Sequence, residues 1–135
     1  MGNAPAPVRI PTGSDPVCAK TAVLDDSLAV DASYGLSNAV VALRDSPEGE
    51  RGPADARAEL SQKGCRYLPR VLAVEGGTTI VIRNDDLTLH NVHTYKRNGS
   101  TWFNQAQPPG SPPMEKKANE LGQLLKFKCD VHPWM

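Results

Sequence analysis

Three histidines, a late cysteine and a terminal methionine are the residues of this chain best suited to chemistry. His90 and His93 stand in LTLHNVHTY, while Cys129, His132 and Met135 stand in the closing LKFKCDVHPWM. If two adjacent strands end at the same pole, imidazole, thiolate, imidazole and thioether meet at one point. Two histidines, one cysteine and a weak axial thioether are the donor set of a mononuclear blue-copper site. The thiolate and thioether suit Cu(I), and imidazole suits either oxidation state. His90, Cys129, His132 and Met135 are therefore the candidate ligands of one copper ion. A tetrahedral zinc set of His90, His93, Cys129 and His132 is the formal alternative. It leaves Met135 without a role, and in an extended segment His90 and His93 point to opposite faces. A buried cysteine among scattered surface histidines is the structural alternative, in which their nearness is coincidence.

The elements that must position these donors read as strands. Over Leu124–Cys129 the pattern alternates, with Leu125, Phe127 and Cys129 on one face and Lys126 and Lys128 on the other. That alternation aims the thiol inward where the chain turns into Asp-Val-His. Upstream, RVLAVEGGTTIVIRNDD predicts a short strand, a Gly-Gly turn and a second strand over Thr78–Arg83, after which the histidines follow. Between Leu87 and Gly122 the chain predicts mostly loop and short strand, broken by Asn98-Gly99 and two Pro-Pro pairs. There Trp102 and Phe103 suit core packing, Met114 loop packing, and Lys116-Lys117 a solvated face. Nearer the N-terminus, Thr21–Leu24 and Ala39–Leu43 are strand-like apolar runs, and Ala54–Gln62 predicts one or two helical turns with Gly64 as a stop. Residues 1–16, rich in Pro and Gly, form a flexible lead-in. The architecture expected is all-β, a sandwich or barrel.

Composition narrows the classes. At 135 residues one domain is expected, large enough to bury a core. A formal net charge of zero gives no field to attract nucleic acid or an anionic membrane. Aromatics at 5%, against 12 Pro and 11 Gly, suit short strands joined by turns. No apolar stretch approaches the roughly 20 residues that span a bilayer, and MGNAPAPVRIPTGSDP holds no signal-like apolar run.

The cysteines bear on compartment. With Cys129 taken as a metal thiolate, Cys18 and Cys65 remain as a natural pair. Their bridge would close a loop of about 47 residues, worth about 4 kcal/mol; two free buried thiols are the alternative. A bridge implies an oxidising compartment, hence a periplasmic or extracellular protein whose export signal has been removed.

LHNVHTY and CDVHPWM together resemble the two ligand loops of the cupredoxins, the small blue-copper proteins, most closely those of the amicyanin and plastocyanin type. PPMEKK and the strand-turn-strand LAVEGGTTIVIRNDD are similar as well, so the resemblance covers residues 67–135, about half the chain. It implies a cupredoxin-like Greek-key β-sandwich over 17–135, with 17–66 as an N-terminal extension of strands and loop and 67–135 as the copper-site core. It implies His90, Cys129 and His132 as ligands with Met135 on the axis, and leaves His93 outside the set. Asn91 matches the residue whose backbone N–H donates to the cysteine sulfur and whose side chain ties the loops together. Pro133 and Trp134 match the rim around a partly exposed histidine, so His132, Pro133 and Trp134 would form the electron exit and docking surface for a redox partner protein. The function implied is one-electron transfer without enzymatic turnover. A copper-delivery module and a non-redox structural domain with a zinc or degenerate site are the other readings. Cupredoxins continue past the axial methionine with a closing strand that this sequence lacks. An open sheet edge is therefore expected, from a truncated chain, from a strand supplied by another chain, or from replacement by the N-terminal region.

Overall fold

A computed structural model describes residues 6–13, 15–42, 52–119 and 122–135. These residues form seven strands: β1 (Arg57–Gln62), β2 (Tyr67–Leu68), β3 (Thr79–Asn84), β4 (His90–Tyr95), β5 (Thr101–Gln107), β6 (Met114–Lys117) and β7 (Lys126–Lys128). One sheet has the order β2-β1-β3-β6 and the other β5-β4-β7. The described residues are nearly all β, and the two sheets share one apolar core.

Alternation builds that core. Leu60, Ile80, Ile82 and Met114 enter from the first sheet and Val92 from the second, with Tyr67, Leu72, Phe103 and Phe127 packed around them. The full burial of Ile82 and Val92 is worth about 1.5–3 kcal/mol for each side chain. A polar bridge runs beside it. Gln62 Nε2 donates to Gln107 Oε1 at 2.7 Å, and Asn84 Nδ2 donates to the Gln107 carbonyl at 2.7 Å. These bonds join β1 and β3 of one sheet to β5 of the other.

Several local expectations are corrected. The Ala54–Gln62 segment is not helical: from Arg57 it is β1, paired in parallel with β3 from Arg57↔Thr79 to Gln62↔Asn84. A helix of one or two turns is marginal in water, whereas the strand buries Leu60 and Gln62 and completes a ladder. Thr21–Leu24 forms only an isolated bridge, Leu24↔Arg9, and its Val23 packs elsewhere. Residues 39–42 carry no strand and leave Val41 96% exposed, while Leu43 lies outside the described residues. The short strand expected before Gly76-Gly77 is displaced to Tyr67–Leu68. The described part of the Leu87–Gly122 stretch is richer in strand than expected, and Met114 is a core residue of β6 rather than loop packing. Phe103 packs on the core as predicted and lies under the Lys116 ammonium, 4.7 Å from its ring centre.

A second, smaller cluster sits at one pole. Cys18, Val23 and Cys65 are its buried members, packed with Ile10 and Trp134. The Cys18–Cys65 disulfide is present. Ile10 N–H donates to the Val23 carbonyl at 2.8 Å, so part of the N-terminal segment is tied to this pole; residues 1–5 and 14 lie outside the described set.

Candidate metal centre

β4 opens with His90, and Cys129 follows directly after β7, its antiparallel neighbour. Because β4 and β7 are adjacent, the start of one and the end of the other lie at the same pole. The inward alternation predicted for Phe127 and Cys129 is realised: Phe127 packs on the core and Cys129 is a buried free thiol. A short turn then returns the chain, with Met135 N–H donating to the His132 carbonyl at 3.0 Å. His90, Cys129 and His132 converge at 0%, 1% and 2% exposure. Their donor atoms are His90 Nδ1 and His132 Nδ1, 2.9 Å apart, with Cys129 Sγ at 4.0 and 3.7 Å from them. One ion with bonds of roughly 2.0–2.3 Å bridges separations of this size.

The outer ring nitrogens have carboxylate partners. His90 Nε2 lies 2.9 Å from Asp86 Oδ2, and His132 Nε2 lies 3.3 Å from Asp15 Oδ2. A carboxylate only accepts, so each ring donates through Nε2 and turns its Nδ1 lone pair inward. Two lone pairs 2.9 Å apart repel, and a cation held between them relieves that repulsion. This donor chemistry fits a metal ion, and the carboxylate–imidazole–metal arrangement fixes ring orientation.

The carboxylates are themselves held. Asp86 accepts the N–H groups of Gly64 (2.7 Å) and Cys65 (2.8 Å). Gly64 and Cys65 both have positive φ, 62° and 56°, which presents successive N–H groups to one anion; glycine takes that conformation without Cβ strain. Asp15 accepts from Val17 N–H and Cys18 N–H (both 2.8 Å) and from Thr88 Oγ1 (2.8 Å). The Cys18 N–H, with Thr88, Val17 and His132, draws the Asp15 carboxyl down to about 2 against an opposing push from burial, so it is ionised at neutral pH. Burial depresses the protonation of His90, an effect partly offset by Asp86.

Asn91 links β4 to the loop after Cys129. Its backbone N–H donates to Cys129 Sγ at 3.4 Å, and its Oδ1 accepts from Asp130 N–H at 2.6 Å. Its Nδ2 donates to Asn104 Oδ1 (2.8 Å) and Asp130 Oδ2 (2.9 Å), tying β4 to the loop after Cys129. His93 faces away from the donors. It binds Asp130 Oδ2 at 2.9 Å and Thr101 Oγ1 at 2.9 Å and stacks on Tyr95. His93 in turn holds the Asp130 carboxyl below the usual range.

One expectation is overturned here. His132 is not partly exposed: the Asp15 segment and Trp134 cover it. Trp134 lies 5.1 Å from its ring and donates Nε1–H to the Cys65 carbonyl at 3.1 Å. Pro133 is exposed and Trp134 half-buried. Sequence reasoning also missed Asp15, Asp86 and Tyr67. The Tyr67 hydroxyl lies 2.9 and 3.0 Å from the Asn91 and Lys128 carbonyls, bracing the residues next to His90 and Cys129. Asp86 carried a faint signal, four residues before His90; Asp15 and Tyr67 carried none.

No family model, no curated protein and no solved structure matches this chain. The likeness to cupredoxins thus stands on the ligand-loop motifs quoted from the sequence.

Proposed function

We propose that the protein is a mononuclear copper-binding electron-transfer protein of cupredoxin type. The observation that carries this reading is the buried meeting of two imidazole Nδ1 atoms and one thiol, with both outer nitrogens on carboxylates. His90, Cys129 and His132 would hold the ion, and Met135 would add a weak thioether donor. Copper bound by such a set supplies a Cu(I)/Cu(II) one-electron couple. The chain's own part is to keep water out, to donate the Asn91 N–H to the sulfur, and to hold both rings through Asp15 and Asp86. Burial of all three donors favours a carrier over a copper-delivery module, which would need its ligands open to a partner. His93, engaged by Asp130 on the other side of β4, does not fit as the fourth ligand of a zinc site.

Three crossings of the chain between the sheets, after β3, β5 and β6, support a Greek-key arrangement. The disulfide fits an oxidising, periplasmic or extracellular setting, and no helix among the described residues is long and apolar enough to cross a membrane. A redox partner protein would dock at Pro133 and Trp134, with His132 just beneath. The test is addition of Cu(II) to the metal-free protein, followed by visible absorption and EPR, with Cys129→Ser beside it. An intense thiolate-to-copper band, absent from the variant, is the expected result. A colourless protein that retains zinc in its place would sink the reading.

A further inference from the structure

The two carboxylates behind the histidines share one anchor. Cys18 N–H binds Asp15, Cys65 N–H binds Asp86, and the two cysteines form the disulfide. Asp15 is also held at the entry to a 3-10 turn, Cys18–Lys20, three residues before its start, where its carbonyl accepts from Ala19 N–H at 2.9 Å. Its side chain is therefore fixed in rotation. Oδ1 faces the two backbone donors of Val17 and Cys18, and Oδ2 faces Thr88 Oγ1 and His132 Nε2.

We propose that Asp15, locked by these backbone donors beside the disulfide, is a positioning residue that fixes the His132 tautomer. With Oδ2 as acceptor, the ring carries its proton on Nε2 and leaves the Nδ1 lone pair free toward Cys129 and His90. This rests on the metal-centre reading above and extends it to a residue 117 positions away in the chain. It concerns a segment that lies outside both ligand loops.

The geometry makes the conservative substitution the informative one. In Asp15→Asn the amide oxygen must stay where Val17 N–H and Cys18 N–H point, because the amide nitrogen there would set donor against donor. The NH₂ group then occupies the Oδ2 position and faces His132 Nε2. The ring answers by accepting at Nε2 and carrying its proton on Nδ1, where a metal needs a lone pair. Asp15→Ala instead loses the turn contacts and leaves the ring without an outer partner. A purely structural role predicts the opposite order, with alanine harmful and asparagine nearly silent.

The test uses the full chain. Long-range ¹H–¹⁵N spectra of the metal-free protein report which ring nitrogen of His132 is protonated, and competition with a chromogenic chelator reports Cu(I) affinity without oxygen. Wild type is expected to carry the proton on Nε2, Asp15→Asn on Nδ1, and Asp15→Ala a mixture. Copper affinity is expected to fall about 10–100-fold in Asp15→Asn, at least as far as in Asp15→Ala. An unprotonated Nε2 in wild type, or an unchanged tautomer in Asp15→Asn, overturns the proposal. Should wild type keep Nε2–H and bind no copper, the proposed function falls while this assignment stands, so the two failures are distinguishable.

Discussion

Removing the Cys18–Cys65 bridge tests how this pole is held. In Cys18→Ala/Cys65→Ala, the denatured chain regains the entropy of a loop whose ends are 47 residues apart. The loop-closure relation converts that separation into about 4 kcal/mol at 25 °C. Single domains are stable by about 5–15 kcal/mol, so the variant is expected to fold but with a large share of its stability gone. With a urea slope of about 2 kcal/mol/M, the unfolding midpoint falls by about 2 M. The slope itself should rise, because the uncrosslinked denatured state exposes more surface. Trp134 fluorescence is a suitable signal, since that ring packs on the disulfide cluster. Wild-type protein unfolded in excess reductant should share the variant's midpoint. A midpoint drop below about 0.5 M at equal slope, which is about 1 kcal/mol, would refute the reasoning. It would mean that the denatured chain is already compact there, or that the bridge closes no costly loop.

Two further outcomes are expected. Ile82→Ala, at a fully buried core position, should cost about 2–5 kcal/mol in urea unfolding. Val41→Ala, at a 96% exposed position, should stay within about 0.5 kcal/mol; comparable losses at both would contradict the core assignment. The second concerns alkaline pH. Burial, with the charges of Cys129 and Asp130, holds the Tyr67 hydroxyl above its ordinary range, so the folded state favours the protonated form more than the unfolded state does. Its contribution is complete below pH about 10, the unfolded value, and is lost as pH rises beyond it. Stability of wild type should therefore fall more steeply above pH 10 than that of Tyr67→Phe, which at pH 8 is lower by about 1 kcal/mol. Parallel pH curves for the two proteins would count against a buried, hydrogen-bonded hydroxyl.

Much of the centre was legible in the chain. Alternation along one strand sets which side chains share a face, so Phe127 and Cys129 could be aimed inward and His93 turned away from His90 without a structure. Cysteine counting paired Cys18 with Cys65. Local propensity misled where pairing overrode it: Arg57–Gln62 contains good helix formers, yet six residues of parallel ladder with β3 outweigh a helix of one or two turns. The apolar run at 39–42 misled in the opposite sense, because a strand needs a partner and none of the described residues pairs with it.

What the sequence determined by itself is therefore the kind and order of the donors and the face each presents, since these follow from residue type and from spacing along a single element. The tertiary structure alone decided what stands behind and over them. Asp15 reaches His132 across 117 positions, and Tyr67 reaches Lys128 across 61. No periodicity encodes such meetings, which depend on how the disulfide-tied pole closes over the ends of β4 and β7. That closure buries His132, which the resemblance to cupredoxins implied to be partly exposed.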